Sequence, residues 1–151
     1  MVPSPSQERF EILVVDDSDV DADLARLAIR GLTTPCRSHL VADGDDALEF
    51  MRRTGQYRDA PRPHLVLLDI NMPRVGGFEV LRELKADSDL TLIPVIMLTS
   101  SSDAREISKA YREHANGYVV KPVTFDEFEE VLERIAAYWF KTSARSEHTD
   151  P

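Results

Sequence analysis

The chain has 151 residues, with 27 acidic against 18 basic side chains and a formal net charge of −9. That balance argues against binding nucleic acid by phosphate neutralisation and against docking on an anionic membrane. Its 42% hydrophobic and 30% charged content fits one soluble globular domain, and no apolar run approaches the roughly 18 residues of a membrane span. The start, MVPSPSQERF, lacks the basic-then-apolar order of a signal peptide, and the single Cys36 cannot form an intramolecular disulfide. A cytoplasmic location is expected.

Residues 1–9 read as a polar tail. The first apolar run, Ile12–Val15, lacks polar alternation, as strands buried on both faces do. A helix follows with Val20, Leu24 and Leu27 as its apolar stripe and Gly31 as its stop. Cys36–Ala42 is a weaker strand. Asp43-Gly-Asp-Asp46 lacks the spacing and distal glutamate of a calcium loop, so it reads as a turn capping a second helix. That helix carries Ala47, Leu48 and Met51 and should stop at Gly55. Leu65–Leu68 is a third strand, followed by a helix with Phe78, Leu81 and Leu84. Ile93–Leu98 is the fourth, and Asp103-Ala-Arg-Glu106 reads as a capping box for a helix presenting Ala104, Ile107 and Tyr111. Tyr118–Val120 is the fifth. Thr124-Phe-Asp-Glu127 caps a last helix with the stripe Phe125, Phe128, Leu132, Ile135 and Trp139.

Five βα units in series predict an α/β protein with a doubly wound, five-stranded parallel sheet and helices on both faces. The domain should span residues 10–140, with polar tails at 1–9 and 141–151. Thirty residues follow Lys121, and the last helix takes more than half of them. A stand-alone domain that acts by touching partners is expected.

Ligands of open parallel sheets bind at the carboxyl ends of the strands. Asp16 and Asp17 follow the first strand, Asp69 the third, Thr99 the fourth and Lys121 the fifth. Carboxylates gathered without compensation repel one another, and a hard divalent cation with oxygen ligands relieves this; Mg²⁺ fits best where a phosphate is also present. N-capping accounts for single acids in such places. It gives no reason for Asp, Asp, Thr and Lys to fall at four different strand ends. Capping by Ser18 or Asp19 leaves Asp16 and Asp17 at the edge.

Val14-Val-Asp-Asp17, Leu68-Asp-Ile-Asn-Met-Pro73, Met97-Leu-Thr-Ser100 and Gly117-Tyr-Val-Val-Lys-Pro122 together resemble the receiver domain of two-component response regulators, over roughly Glu11 to Phe140. The resemblance implies the flavodoxin-like (βα)5 receiver fold and phosphoryl transfer from a histidine kinase to an aspartate. It makes Asp69 the phosphoacceptor and Asp17 a direct Mg²⁺ ligand. Asp16 would bind the ion through water or position it, and Asn71 would offer its backbone carbonyl. Thr99 would hydrogen-bond the phosphoryl group, Lys121 would pair with Asp69 or its phosphate, and Tyr118 would report the state of Thr99 through its rotamer. The same resemblance implies a cis Lys121–Pro122 bond and makes the domain a self-resetting switch rather than an enzyme with an external substrate. Gly76-Gly77 replaces the Asp-Gly of many receivers, a change expected to loosen that loop.

Tyr111-Arg-Glu-His-Ala-Asn-Gly-Tyr118, Ala137-Tyr-Trp-Phe140 and the segment Gly55–Pro63 are similar to single-domain regulators that partner phytochrome-type histidine kinases. That likeness implies a bacteriophytochrome-type kinase partner and a homodimer through the face of helix four, strand five and helix five. Trp139 and Phe140 suit either core closure or that interface. His114 reads as helix-four surface, and Arg74 as a solvated side chain within reach of a partner. A stand-alone receiver serving a different kinase or phosphorelay is the alternative. A haloacid-dehalogenase-type phosphatase would need a second acid where Asn71 stands, and a phosphorylation-independent adaptor would be expected to lack Asp16, Asp17, Asp69 or Lys121.

Overall fold

The apolar runs pair into one parallel sheet of order β2-β1-β3-β4-β5 in the computed structural model, which describes residues 9–144. β1 (Phe10–Val15), β3 (Leu65–Leu68) and β4 (Val95–Thr99) are interior and almost wholly buried, which is why their sequences are apolar without alternation. β2 (Cys36–Val41) and β5 (Gly117–Val120) are the edges, each covered only in part. Val15 lies opposite Val41 on one side and Leu68 on the other, and Thr99 lies opposite Val120, so the strands end together along one edge.

α1 (Asp19–Arg30) and α5 (Phe125–Ala136) cover one face of the sheet; α2 (Gly44–Arg52), α3 (Gly77–Ala86) and α4 (Ala104–Arg112) cover the other. The pleat divides the strands between these layers. Ile12, Val14, Ile96 and Leu98 face α1 and α5, while Leu13, Val15, Val95 and Met97 face the three-helix side.

α1 departs from the expected stripe. Val20 is 69% exposed and Leu27 44%, whereas Ala22, Ala25, Ala28 and Ile29 are buried. A helix lying close over the sheet needs small side chains beneath it, and the alanines supply them. α4 behaves likewise: Ala110 is its buried residue and Tyr111 is half exposed. α2 ends earlier than Gly55, because Arg53 takes the left-handed conformation (φ 57°) and its N–H bonds the Phe50 carbonyl at 3.2 Å. Gly55, also left-handed at φ 59°, follows and opens a short 3₁₀ turn, Gly55–Tyr57.

Caps fix the helix starts beside the functional edge. Ser18 accepts from the Asp21 N–H at 3.2 Å, Asp43 from the Asp46 N–H at 2.8 Å and Thr124 from the Glu127 N–H at 3.2 Å. The box expected at Asp103 is incomplete. Asp103 accepts from the Arg105 N–H at 2.8 Å, while Glu106 takes the Ser101 hydroxyl instead of reaching back to the cap.

Beyond α5 a wide π-helical turn, Ala137–Thr142, carries Phe140 into the core, where it stacks on Phe10 at a centroid distance of 4.2 Å. Trp139 packs partly buried against the same layer. Helical structure thus continues two residues past the expected boundary at 140. The tails expected at 1–9 and 141–151 fall mostly on residues 1–8 and 145–151, which lie outside the described residues. Among the described residues no helix is long and apolar enough to cross a membrane.

Candidate functional site

The sheet ladder itself sets out the functional edge. The Asp16 N–H bonds the Val41 carbonyl at 3.1 Å, the Asp69 N–H bonds the Val15 carbonyl at 3.0 Å and the Lys121 N–H bonds the Thr99 carbonyl at 2.8 Å. Each backbone is held by a neighbouring strand just as its side chain leaves the sheet. Carboxylate oxygens of Asp16, Asp17 and Asp69 come within 4.8 Å of one another, with Asp16 and Asp69 buried and Asp17 exposed. These are hard oxygen donors carrying three negative charges, a set that suits a divalent cation.

Lys121 reaches into this group. Its Nζ donates to Asp16 Oδ2 at 2.7 Å, to Asp21 Oδ2 at 2.8 Å and to Asp69 Oδ2 at 3.3 Å. The remaining oxygens are also tied: Asp16 Oδ1 accepts from the Ser18 N–H at 2.9 Å, and Asp69 Oδ1 from the Ile70 N–H at 2.8 Å. Burial pushes Asp16 above the ordinary carboxylate range, and the lowering by Lys121 and the Ser18 N–H does not fully offset it. Burial alone would lower Lys121; its bonds to Asp16 and Asp21, with the field of Asp69, outweigh burial and hold the ammonium protonated.

Thr99 is completely buried, and its Oγ1 has no hydrogen-bond partner. An unpaired buried hydroxyl costs free energy unless a group arriving at the site uses it. Thr99 and Tyr118 lie on the three-helix side of the sheet, and the Tyr118 hydroxyl donates to the Ser101 carbonyl at 2.9 Å in the loop that leaves Thr99. Burial raises the Tyr118 phenol above its ordinary value. Asn71 sits exposed in the loop after Asp69.

That loop is tight, contrary to the expectation of slack. Gly76 has an ordinary backbone (φ −81°). A Cβ on Gly77 would lie 2.1 Å from the Asp69 carbonyl oxygen, and one on Gly44 would lie 2.4 Å from the Val75 carbonyl oxygen. The starts of α2 and α3 therefore both press on the segment that follows Asp69. Arg74, left-handed at φ 63°, is not simply solvated: its guanidinium bonds Asp43 at 3.1 Å. His114 lies past the end of α4 in a left-handed turn (φ 73°) rather than on the helix surface.

A further sequence expectation needs correction, and one residue joins the site. Lys121–Pro122 is trans, since the described residues contain no cis peptide; a prolyl bond prefers trans by about 0.5–1 kcal/mol, and the ladder bond from Lys121 to Thr99 forms with that isomer. Asp21 was not anticipated at the site at all. It is 100 residues from Lys121 in sequence and belongs to no recognised motif. Its one signal was position, an acid four residues after Asp17 in the first turn of a helix.

An acid cluster, an ammonium and an unpaired hydroxyl at the carboxyl edge of a (βα)5 sheet define a receiver-type site. Residues 12–133 match the response regulator receiver domain, and the chain belongs to that family. It is 34% identical to response regulator Rcp1 of Synechocystis over 131 residues, covering 87% of this chain and 89% of the relative. It is 36% identical to the probable methanogenesis regulatory protein FilR2 of Methanothrix harundinacea over 135 residues, covering 89% and 86%. Among solved structures, the phosphorylated cyanobacterial phytochrome response regulator RcpA superposes with a TM-score of 0.86 at 33% identity, covering 92% of this chain and 99% of that one. The Mn²⁺-bound form of Rcp1 gives 0.83 at 33% identity, covering 91% and 99%.

Proposed function

We propose that this receiver accepts a phosphoryl group on Asp69 from a histidine kinase and passes the signal on by changing its contacts with partners or with itself. The observation that carries this reading is the Asp69 carboxylate held beside Asp16 and Asp17 with the Lys121 ammonium on its Oδ2. An Asp69 oxygen attacks phosphorus; the P–N bond of a phosphohistidine breaks, and the imidazole leaves carrying the electron pair and taking up a proton. Lys121 offsets the negative charge that accumulates, and the Thr99 hydroxyl supplies a hydrogen bond to the transferred group. Such transfer depends on positioning and charge neutralisation more than on covalent chemistry. Asp16, Asp17, Asp69 and the Asn71 carbonyl would hold Mg²⁺, which supplies charge neutralisation for the incoming phosphoryl oxygens when bound. Water hydrolyses the acyl phosphate and resets the switch, so the chain catalyses only its own modification. Tyr118 follows Thr99 through the loop that its hydroxyl now holds.

The similarity to RcpA, a cyanobacterial phytochrome response regulator, supports a phytochrome-type kinase as the phosphodonor, and so a cytoplasmic site of action. The similarity to FilR2 keeps a different kinase as the second reading. For self-association, α4 presents Tyr111 and β5 presents Val120 half exposed, and Tyr138 is half exposed in the turn that follows α5.

Incubation with Mg²⁺ and a small phosphodonor should give a labile adduct by intact mass, and Asp69→Asn should abolish it. An adduct that persists in Asp69→Asn refutes the assignment. Sedimentation with and without beryllofluoride tests the dimer; a monomer under both conditions rules out this route of output.

A further inference from the structure

Lys121 has three ammonium protons, and all three are committed to carboxylates. Asp16 and Asp69 belong to the acid cluster that would take the cation and the phosphoryl group. Asp21 does not, yet it holds Lys121 at 2.8 Å, closer than Asp69 does at 3.3 Å. A helix-dipole role explains an acid somewhere in the first turn of α1, and Asp19 already serves it. It does not explain a carboxylate aimed across the edge at the ammonium. Nor is Asp21 free to drift, because its backbone N–H is fixed by the Ser18 cap.

We propose that Asp21 is a positioning residue that tethers Lys121 toward α1 in the unphosphorylated protein and competes with the phosphoryl group for it. A phosphoryl oxygen on Asp69 can gain a Lys121 proton only if another acceptor gives one up. Asp21 is the partner to release: its side chain is 37% exposed, against 6% for Asp16 and 10% for Asp69, so water takes over its hydrogen bond. Phosphorylation is thereby opposed by the Asp21–Lys121 bond and, once achieved, leaves the first turn of α1 without its anchor. Asp21 sets how far the switch leans toward its resting state.

The test rests on the phosphoacceptor reading and is arranged to fail separately from it. Beryllofluoride affinity is measured with Mg²⁺ in the parent, in Asp21→Ala, and in Asp19→Ala, which removes the same charge from the same turn of α1. Asp21→Asn, which keeps an acceptor without the charge, is the fourth variant. The Lys121 ammonium resonance is followed by ¹H–¹⁵N NMR in the metal-free proteins. The expected result is about fivefold tighter beryllofluoride binding in Asp21→Ala (about 1 kcal/mol, at 1.4 kcal/mol per factor of ten), a smaller gain in Asp21→Asn and almost none in Asp19→Ala. The ammonium signal should shift or broaden in Asp21→Ala alone among the alanine variants. Equal gains in Asp21→Ala and Asp19→Ala would reduce the effect to net charge and overturn the proposal. So would unchanged or weaker binding in Asp21→Ala, or an unmoved ammonium signal. A parent that takes up no beryllofluoride, with an ammonium signal that still depends on Asp21, overturns the phosphoacceptor reading and the competition built on it while leaving the tether itself measured.

Discussion

Gly76 and Gly77 are adjacent in sequence and should respond in opposite ways to the same added methyl group. A Cβ on Gly77 would meet the Asp69 carbonyl oxygen at 2.1 Å, Ile70 Cα at 2.8 Å and the Asp69 carbonyl carbon at 2.9 Å, all backbone atoms that cannot rotate aside. Relief requires α3 and the Asp69–Ile70 segment to separate by about 1 Å, an overpacking strain of roughly 1–3 kcal/mol. At this chain length that is a fall in Tm of roughly 2–12 °C. A Cβ on Gly76 would meet only the Ile70 carbonyl oxygen, at an ordinary 3.5 Å. The lower entropy of the unfolded chain then offsets the weaker N-cap, leaving Gly76→Ala within about 0.5 kcal/mol of the parent. Thermal and urea unfolding of both variants measures the difference. Because the strain falls on Asp69 itself, Gly77→Ala should also weaken beryllofluoride binding, whereas Gly76→Ala should not. Equal stability of the two variants would refute the close approach of α3 to the acceptor backbone.

Lys121→Ala leaves Asp16 and Asp69 buried without their cation and should cost about 3 kcal/mol at neutral pH in metal-free protein. Burial already raises the Asp16 carboxyl and Lys121 opposes that rise, so without the ammonium Asp16 holds its proton more tightly than in the unfolded chain; stability is lost as pH rises and the deficit should shrink in mild acid, which denaturant titrations at both pH values check. The variant should still bind Mg²⁺ but switch poorly, and loss of metal equal to that in Asp17→Asn would contradict separate roles. Burial, with Glu133 and Glu11 nearby, pushes the Cys36 thiol up to about 12, so it should resist alkylation until the protein unfolds. An acid whose folded value is raised costs stability as pH rises through the gap, here from about 9 to about 12. Cys36→Ala should flatten that part of the stability curve.

Much of the site was legible because its chemistry sits at strand ends, and buried parallel strands announce themselves as unalternating apolar runs. Ile12–Val15 and Leu65–Leu68 placed Asp16, Asp17 and Asp69 without further help. The helices were less transparent. Periodicity gives weight to large apolar side chains, so it chose Val20 and Leu27 on α1, whereas the helix lies on alanines. Glycine is the usual left-handed residue, so the sequence predicts the stop of α2 at Gly55, whereas Arg53 adopts that conformation first. Asp21 escaped for a different reason. Its partner is distant in the chain, and nothing in a run of aspartates marks which one faces inward.

The alanine face of α1 has a further consequence. Ala22, Ala25 and Ala28 fix how closely the helix lies on the sheet, and Asp21 rides on that helix with its reach to Lys121 set by the same spacing. Two extra carbons beneath α1, as in Ala25→Val, would shift that reach, and with it the balance between the resting and phosphorylated states, without touching any group that reacts. On the proposed tether, core volume beneath α1 becomes a control on Lys121, adjustable by mutations that no inspection of the reactive residues would single out.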